Sequence, residues 1–298
     1  VGTFGGDPMG GGNTAAMGLF CLLIMLLKVS EYKHGLTSFK SMALHIVLGI
    51  GLCIIGEVKF VILLSPLFLA WVWISPSYVK DVSKVNLKTL LIIVAGMLLL
   101  ISLSIVILAY YYSSAFGGDP SKSSLSIFID SLSYIFDPNY IMSTGELGRF
   151  TTFLFWLKNN DLWGLSGTLF GYGLNATNSG STVSPGFLNI IYNLILDSTS
   201  LSMLLWEVGV IGTLLFISLF IYILKVCQPK PLLTLEQLDQ QDLQLLSFAP
   251  AFNAFAISCL ISLPYSQILM ITPMLQFLFY LSLGSSLVIR RTVLRCVG

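Results

Sequence analysis

The sequence predicts an all-α fold, a polytopic bundle of transmembrane helices with a large outer loop, on three observations. Apolar residues make up 55% of the chain and charged residues 10%. The mean hydropathy of +0.88 lies far above that of a soluble domain. The apolar residues gather in seven runs near bilayer length, since a hydrocarbon core takes about 20 residues of helix. Lys and Arg then fall between those runs on alternating sides, as the cytoplasmic bias of cations requires. The whole chain, 1–298, reads as one integral membrane domain.

The chain opens on Val1 and a glycine-rich loop, so further spans are expected upstream of residue 1. Nothing at the start has the basic, apolar and small-residue order of a signal peptide. The loop holds Phe4-Gly5-Gly6-Asp7-Pro8, and the same five residues recur as Phe116-Gly117-Gly118-Asp119-Pro120. Gly-Gly permits a tight turn and Asp-Pro stiffens its exit, so each copy is at least a loop device. The sequences after the two copies differ, which argues against a duplicated domain.

The first run, 13–29, carries Lys28 at its end and is followed by Lys33 and Lys40. The second, 41–56, is short and ends at Glu57 and Lys59, where the third, 59–76, begins. Lys80, Lys84 and Lys88 precede the fourth, 89–112. A segment of almost ninety residues, 113–200, then separates it from the fifth, 201–225. Residues 226–246 form an amphipathic connector with leucines at helical spacing. The runs 247–264 and 266–289 follow, and Arg290, Arg291 and Arg295 close the chain. With residue 1 outside, eleven cations lie on the inner segments and Lys59, Lys122, Arg149 and Lys158 on the outer ones, which accounts for all fifteen. That asymmetry places 113–200 outside and 226–246 in the cytosol, in a multi-pass protein of a plasma membrane.

Loops this long are uncommon without a task. Residues 124–136 and 146–158 read as helices able to lie in the interface. In the latter, Leu147, Phe150, Leu154 and Leu157 share a face while Glu146, Arg149 and Lys158 are polar. Gly164, Gly167, Gly171, Gly173 and Gly180 then punctuate the chain, and glycines let a backbone approach a ligand closely. Trp156 and Trp163 suit an interfacial belt better than a sugar-stacking platform. Glu207 lies inside the fifth run, where a carboxylate needs a partner, water or a cation. Lys59, at a helix end, equally suits an interfacial anchor.

Five scattered cysteines and two isolated histidines match neither a metal-binding spacing nor a disulfide framework, so no metal and no cofactor is expected. A net charge of +1 with dispersed cations excludes a nucleic-acid partner.

The pieces GTFGGDPMGGGN, GEVK at 56–59, GRF at 148–150, LFGYGLN at 169–175 and LLWEVGVIG at 204–212 occur in an order that resembles the O-antigen ligase and polymerase superfamily. These are bacterial inner-membrane enzymes that act on undecaprenyl-linked glycans. The resemblance implies transfer of a glycan from an undecaprenyl-pyrophosphate-linked oligosaccharide to a sugar hydroxyl at the outer, periplasmic face, without nucleotide or metal. It places Arg149 at the family's loop arginine, with Lys59 and Lys158 as further cations for the pyrophosphate. Glu207, Gly171 and Gly173 fall in substrate-binding motifs. Glu57, Asp7 and Asp119 are the carboxylates among which the residues do not choose a general base. Membrane lipid, a chain-length regulator and a flippase are the expected partners. Ligases of this superfamily carry a histidine shortly before the closing glutamate, where this chain has Asp197-Ser198-Thr199-Ser200. That departure favours a polysaccharide polymerase over an O-antigen ligase. A polyprenyl-glycan transporter or flippase is the rival class, and the near absence of charge in the middle of the spans argues against it.

Overall fold

The computed structural model describes residues 14–56, 58–82, 87–111, 133–180 and 185–297. Both FGGDP copies and Glu57 lie outside them. Among the described residues every regular element is helical. In chain order these are α1 (Thr14–Lys33), α2 (Phe39–Ile55), α3 (Lys59–Ile74), a 3-10 turn (Lys80–Val82) and α4 (Leu87–Tyr111). Then come α5 (Ser133–Phe136), α6 (Arg149–Asn159), α7 (Leu165–Phe170), α8 (Phe187–Tyr192) and α9 (Ser200–Glu207). After α10 (Gly209–Val226) follow a second 3-10 turn (Leu235–Gln237), α11 (Gln240–Ile261), α12 (Ile268–Ile271) and α13 (Pro273–Val297).

Five of these helices are long and apolar enough to cross a membrane: Thr14–Lys33, Leu90–Ile107, Gly209–Val226, Gln240–Ile261 and Pro273–Leu294. The second and third expected runs form shorter apolar helices, Phe39–Ile55 and Lys59–Ile74. The α4 helix exposes Leu91, Ile92, Leu98 and Leu99 by more than half of their surface, which lipid tolerates and water penalises.

The chain divides into two compact units. The first takes Val1–Ala115, Ile223–Cys259 and Met274–Gly298, the second Phe116–Tyr222 and Leu260–Pro273. In the first, α1 packs on α2 and α3 around fully buried Leu22, Met25, Leu26, Ile62 and Leu69. The end of α1 is joined to the end of α3 by His34. Its Nδ1 stands 2.7 Å from the Ser30 carbonyl and its Nε2 2.6 Å from Ser77 Oγ. A carbonyl only accepts, so Nδ1 carries the proton and Nε2 accepts from the Ser77 hydroxyl. Burial lowers the His34 pKa to about 4, which keeps the ring neutral in this role. Lys33 Nζ donates to the carbonyls of Val72 and Ser75 nearby.

The second unit is built on Trp206, which is fully buried among the rings of Phe155, Tyr172 and Tyr192, at centroid distances of 6.4, 5.7 and 5.8 Å. Leu147, Trp156, Leu188 and Leu196 complete this core. Here the expected run 201–225 divides into α9 and α10. In an unbroken helix the carbonyls of Trp206 and Glu207 would accept from residues 210 and 211. Instead the amide of Tyr172 donates to Trp206 at 2.8 Å and that of Gly173 to Glu207 at 3.0 Å. Gly209 absorbs the break at φ +69°. The helix expected from 146 begins at Arg149, and α11, starting at Gln240, takes in the end of the expected connector 226–246. Of the helix expected over 124–136, only Ser133–Phe136 falls among the described residues.

Candidate functional site

Arg149 is presented by a small hairpin. Ile141 pairs with Leu147, and Gly145, at φ +85°, closes the turn by donating its amide to Met142 at 2.9 Å. The Gly145 carbonyl in turn accepts from the Ile195 amide at 2.9 Å, which ties the hairpin to the strand-like stretch ahead of α9. Gly148 follows, and Arg149 opens α6. A Cβ on Gly148 would stand 2.8 Å from the Tyr134 carbonyl. The bare glycine therefore lets α5 approach α6 and brings the Tyr134 ring to 5.7 Å from the Arg149 guanidinium carbon, within cation–π range.

The guanidinium is only partly engaged. Nη1 donates to Glu146 Oε1 at 3.0 Å and to the Ser198 carbonyl. Nε is buried and has no hydrogen-bond partner among the described residues, nor does any described group bond Nη2. Nε–H and Nη2–H are the parallel edge of the guanidinium fork, the edge that grips a carboxylate or phosphate through two oxygens. The opposite side is anchored, and this edge has no partner among the described residues.

Arg149 stands in the wall of a cavity of about 410 Å³. Its other walls are Ile135 and Phe136 of α5, Phe150 and Phe153 of α6, Thr199, Leu201 and Ser202 at the head of α9, and Pro264 and Tyr265. The cavity is apolar apart from the guanidinium and three hydroxyls. The head of α9 is held firmly. Thr199 caps it by accepting from the Ser202 amide at 3.0 Å, and Ser200 donates to the Ser266 carbonyl through both its amide and its hydroxyl. Tyr134 and Tyr265 meet hydroxyl to hydroxyl at 3.0 Å. An apolar cavity with one cation in its wall suits an amphipathic anion whose charged end sits at the guanidinium.

Of the residues singled out from the sequence, Arg149 lies in this wall. Lys158 is exposed near the far end of α6. Glu207, Gly171 and Gly173 are brought together elsewhere in the second unit, and none of them lines the cavity. The Glu207 carboxylate accepts from the Thr177 amide and hydroxyl at 3.4 and 2.8 Å. Gly171 faces backbone, since a Cβ there would stand 2.5 Å from the Glu207 carbonyl. Lys59 is buried at the start of α3 and belongs to the first unit. Glu57, Asp7 and Asp119 lie outside the described residues.

Sequence reasoning did not single out Tyr134, Tyr265, Glu146 or Asp197 as site residues. Asp197 is buried, with Oδ2 accepting from the Ser179 amide and hydroxyl at 3.2 and 2.6 Å and Oδ1 without a partner among the described residues. It precedes Ser198, whose carbonyl anchors Arg149 from almost fifty residues away, so no local sequence signal pointed to it. Among the described residues no three His, Cys, Asp or Glu side chains gather as a metal would need. Comparison of the chain with protein-family models, with curated proteins and with solved structures finds no match in any of the three.

Proposed function

We propose that the chain is a bacterial polysaccharide polymerase. It transfers a glycan from an undecaprenyl-pyrophosphate donor to an acceptor sugar hydroxyl at the outer face of the plasma membrane. The observation that carries this reading is Arg149 in the wall of a largely apolar cavity, with its buried Nε left without a hydrogen-bond partner among the described residues. A lipid-linked pyrophosphate has an apolar tail and phosphate oxygens arranged for such a fork. The order of motifs and the cation asymmetry of the seven apolar runs support the same reading.

In the proposed reaction the acceptor oxygen attacks the anomeric carbon and the bond from that carbon to the pyrophosphate oxygen breaks. The electron pair leaves with the pyrophosphate, and the hydroxyl proton passes to a carboxylate. Charge grows on the leaving oxygens, so Nε–H and Nη2–H donate most strongly in the transition state, which is what accelerates the step. The anchors on Glu146 and Ser198 hold the fork in place before the substrate arrives, so no reorganisation is needed at the moment of transfer.

The test is transfer by purified chain of a synthetic polyprenyl-pyrophosphate oligosaccharide. Arg149→Ala is expected to lower the rate by about 10²–10³, the usual loss for one positioned charge-stabilising donor. Arg149→Lys keeps the charge and loses the fork, so it is expected to fall between the two. Unimpaired polymerisation by Arg149→Ala overturns the assignment.

A further inference from the structure

The first unit contains a second cavity, built from other residues and independent of whether the chain is a transferase. Lys225 in the last turn of α10, Lys230 in the connector and Arg290 on α13 line one cavity of about 250 Å³. Tyr78, Gln228, Leu232, Val293 and Leu294 are among its other walls, and no carboxylate lines it. Among the described residues none of the three cations makes an ion pair. Three like charges around one small cavity repel each other unless an anion joins them.

The surroundings hold these cations together. Tyr78 is buried and its hydroxyl donates to the Cys227 carbonyl at 3.4 Å. Asn253 Nδ2 donates to the same carbonyl at 3.1 Å, which fixes the chain where it leaves α10. The Tyr78 carbonyl accepts from the amides of Leu232 and Leu233 at 2.9 and 3.0 Å, and Lys80 donates back to Leu233 at 2.9 Å. The connector bearing Lys230 is therefore bound along its backbone. Burial raises the Tyr78 phenol to about 12 while the Arg290 charge draws it down, so the phenol stays a neutral donor beside a cation. The C-terminus of α10 contributes about half a negative charge, which three full cations exceed.

We propose that this cavity binds a phosphate-ester anion. Phosphate oxygens match both the ammonium charges and the guanidinium fork. The cavity lies at the ends of two helices apolar enough to span a bilayer, Gly209–Val226 and Pro273–Leu294. Basic pockets at such a boundary receive phospholipid headgroups, and a soluble phosphate carries the same chemistry.

The experiment uses the full chain and the double variant Lys230→Gln, Arg290→Gln. One arm measures lipid retained, by native mass spectrometry, after equilibration in bilayer discs of phosphatidylcholine alone or mixed equally with phosphatidylglycerol. The other measures the shift in melting temperature with added inorganic phosphate. The wild type is expected to retain phosphatidylglycerol over phosphatidylcholine, or to be stabilised by inorganic phosphate, according to the source. Loss of two cations is expected to weaken that binding about thirtyfold, at the membrane-surface value for each charge. In the wild type itself the binding is expected to fall as salt rises, a readout that does not depend on the variant folding. A wild type that discriminates neither probe, or a folded variant that binds as tightly, overturns the proposal.

Discussion

Gly209 and Gly171 meet back to back in the second unit, and this contact sets a demand that each residue feels differently from other glycines. A Cβ on Gly209 would stand 2.4 Å from the Leu169 carbonyl and 2.5 Å from the Gly171 amide nitrogen, and its φ is +69°. Backbone cannot retreat as a side chain can, so both a steric and a conformational penalty apply. Gly173 has φ +96° with nothing within 4 Å of a Cβ, so only the conformational one applies. Gly209→Ala is expected to destabilise the chain by about 3 kcal/mol or more, and Gly173→Ala by about 1–2 kcal/mol. Thermal unfolding of the two variants in detergent checks the order, and an equal loss would show that the backbone contact is not tight. The glycines of this stretch were conspicuous in the sequence as a means of approaching a ligand. What Gly171 approaches is another length of main chain, a fact no local pattern could carry because the partner is almost forty residues away.

At the scale of elements, α6 and α9 are joined by a short relay of hydroxyls. Ser202 Oγ donates to the Leu196 carbonyl at 2.7 Å and stands 3.0 Å from Thr152 Oγ1. A serine hydroxyl has one proton, so the bond between the two side chains is donated by Thr152. Removing the middle of such a relay leaves more behind than removing its end. Ser202→Ala is expected to cost about 2 kcal/mol, because Thr152 and the Leu196 carbonyl both lose a partner in a buried place. Thr152→Val is expected to cost about 1 kcal/mol. Denaturant titration of each variant decides this, and a larger loss for Thr152→Val would reverse the direction of the relay. The helix around 146–158 was legible from the spacing of its apolar residues. Its start at Arg149 was not, since that depends on the hairpin before it and on the close approach of Tyr134 across Gly148.

At the scale of the whole molecule, the placement of Lys and Arg makes a prediction about sidedness. Single cysteines are introduced in place of Lys158 and Lys230, in a background where the native cysteines are replaced by serine. A membrane-impermeant maleimide added outside intact cells is expected to label position 158 and to leave position 230 unlabelled until the membrane is opened. Labelling of both, or of 230 alone, would overturn the sidedness on which the outer-face transfer depends.

The sequence by itself determined the class of fold and the presence of apolar helices, because burial in lipid depends on composition along a single stretch of chain and needs no partner. It also brought Arg149 forward, as a lone arginine beside an aromatic helix. Only the tertiary structure decided where the fifth apolar run breaks and which edge of Arg149 is left without a partner. It likewise decided that Lys225, Lys230 and Arg290 share a cavity. Each of those outcomes depends on backbone carbonyls and side chains distant in sequence competing for the same hydrogen bonds and the same space. That competition is settled by packing in three dimensions and leaves no periodicity for a sequence to display.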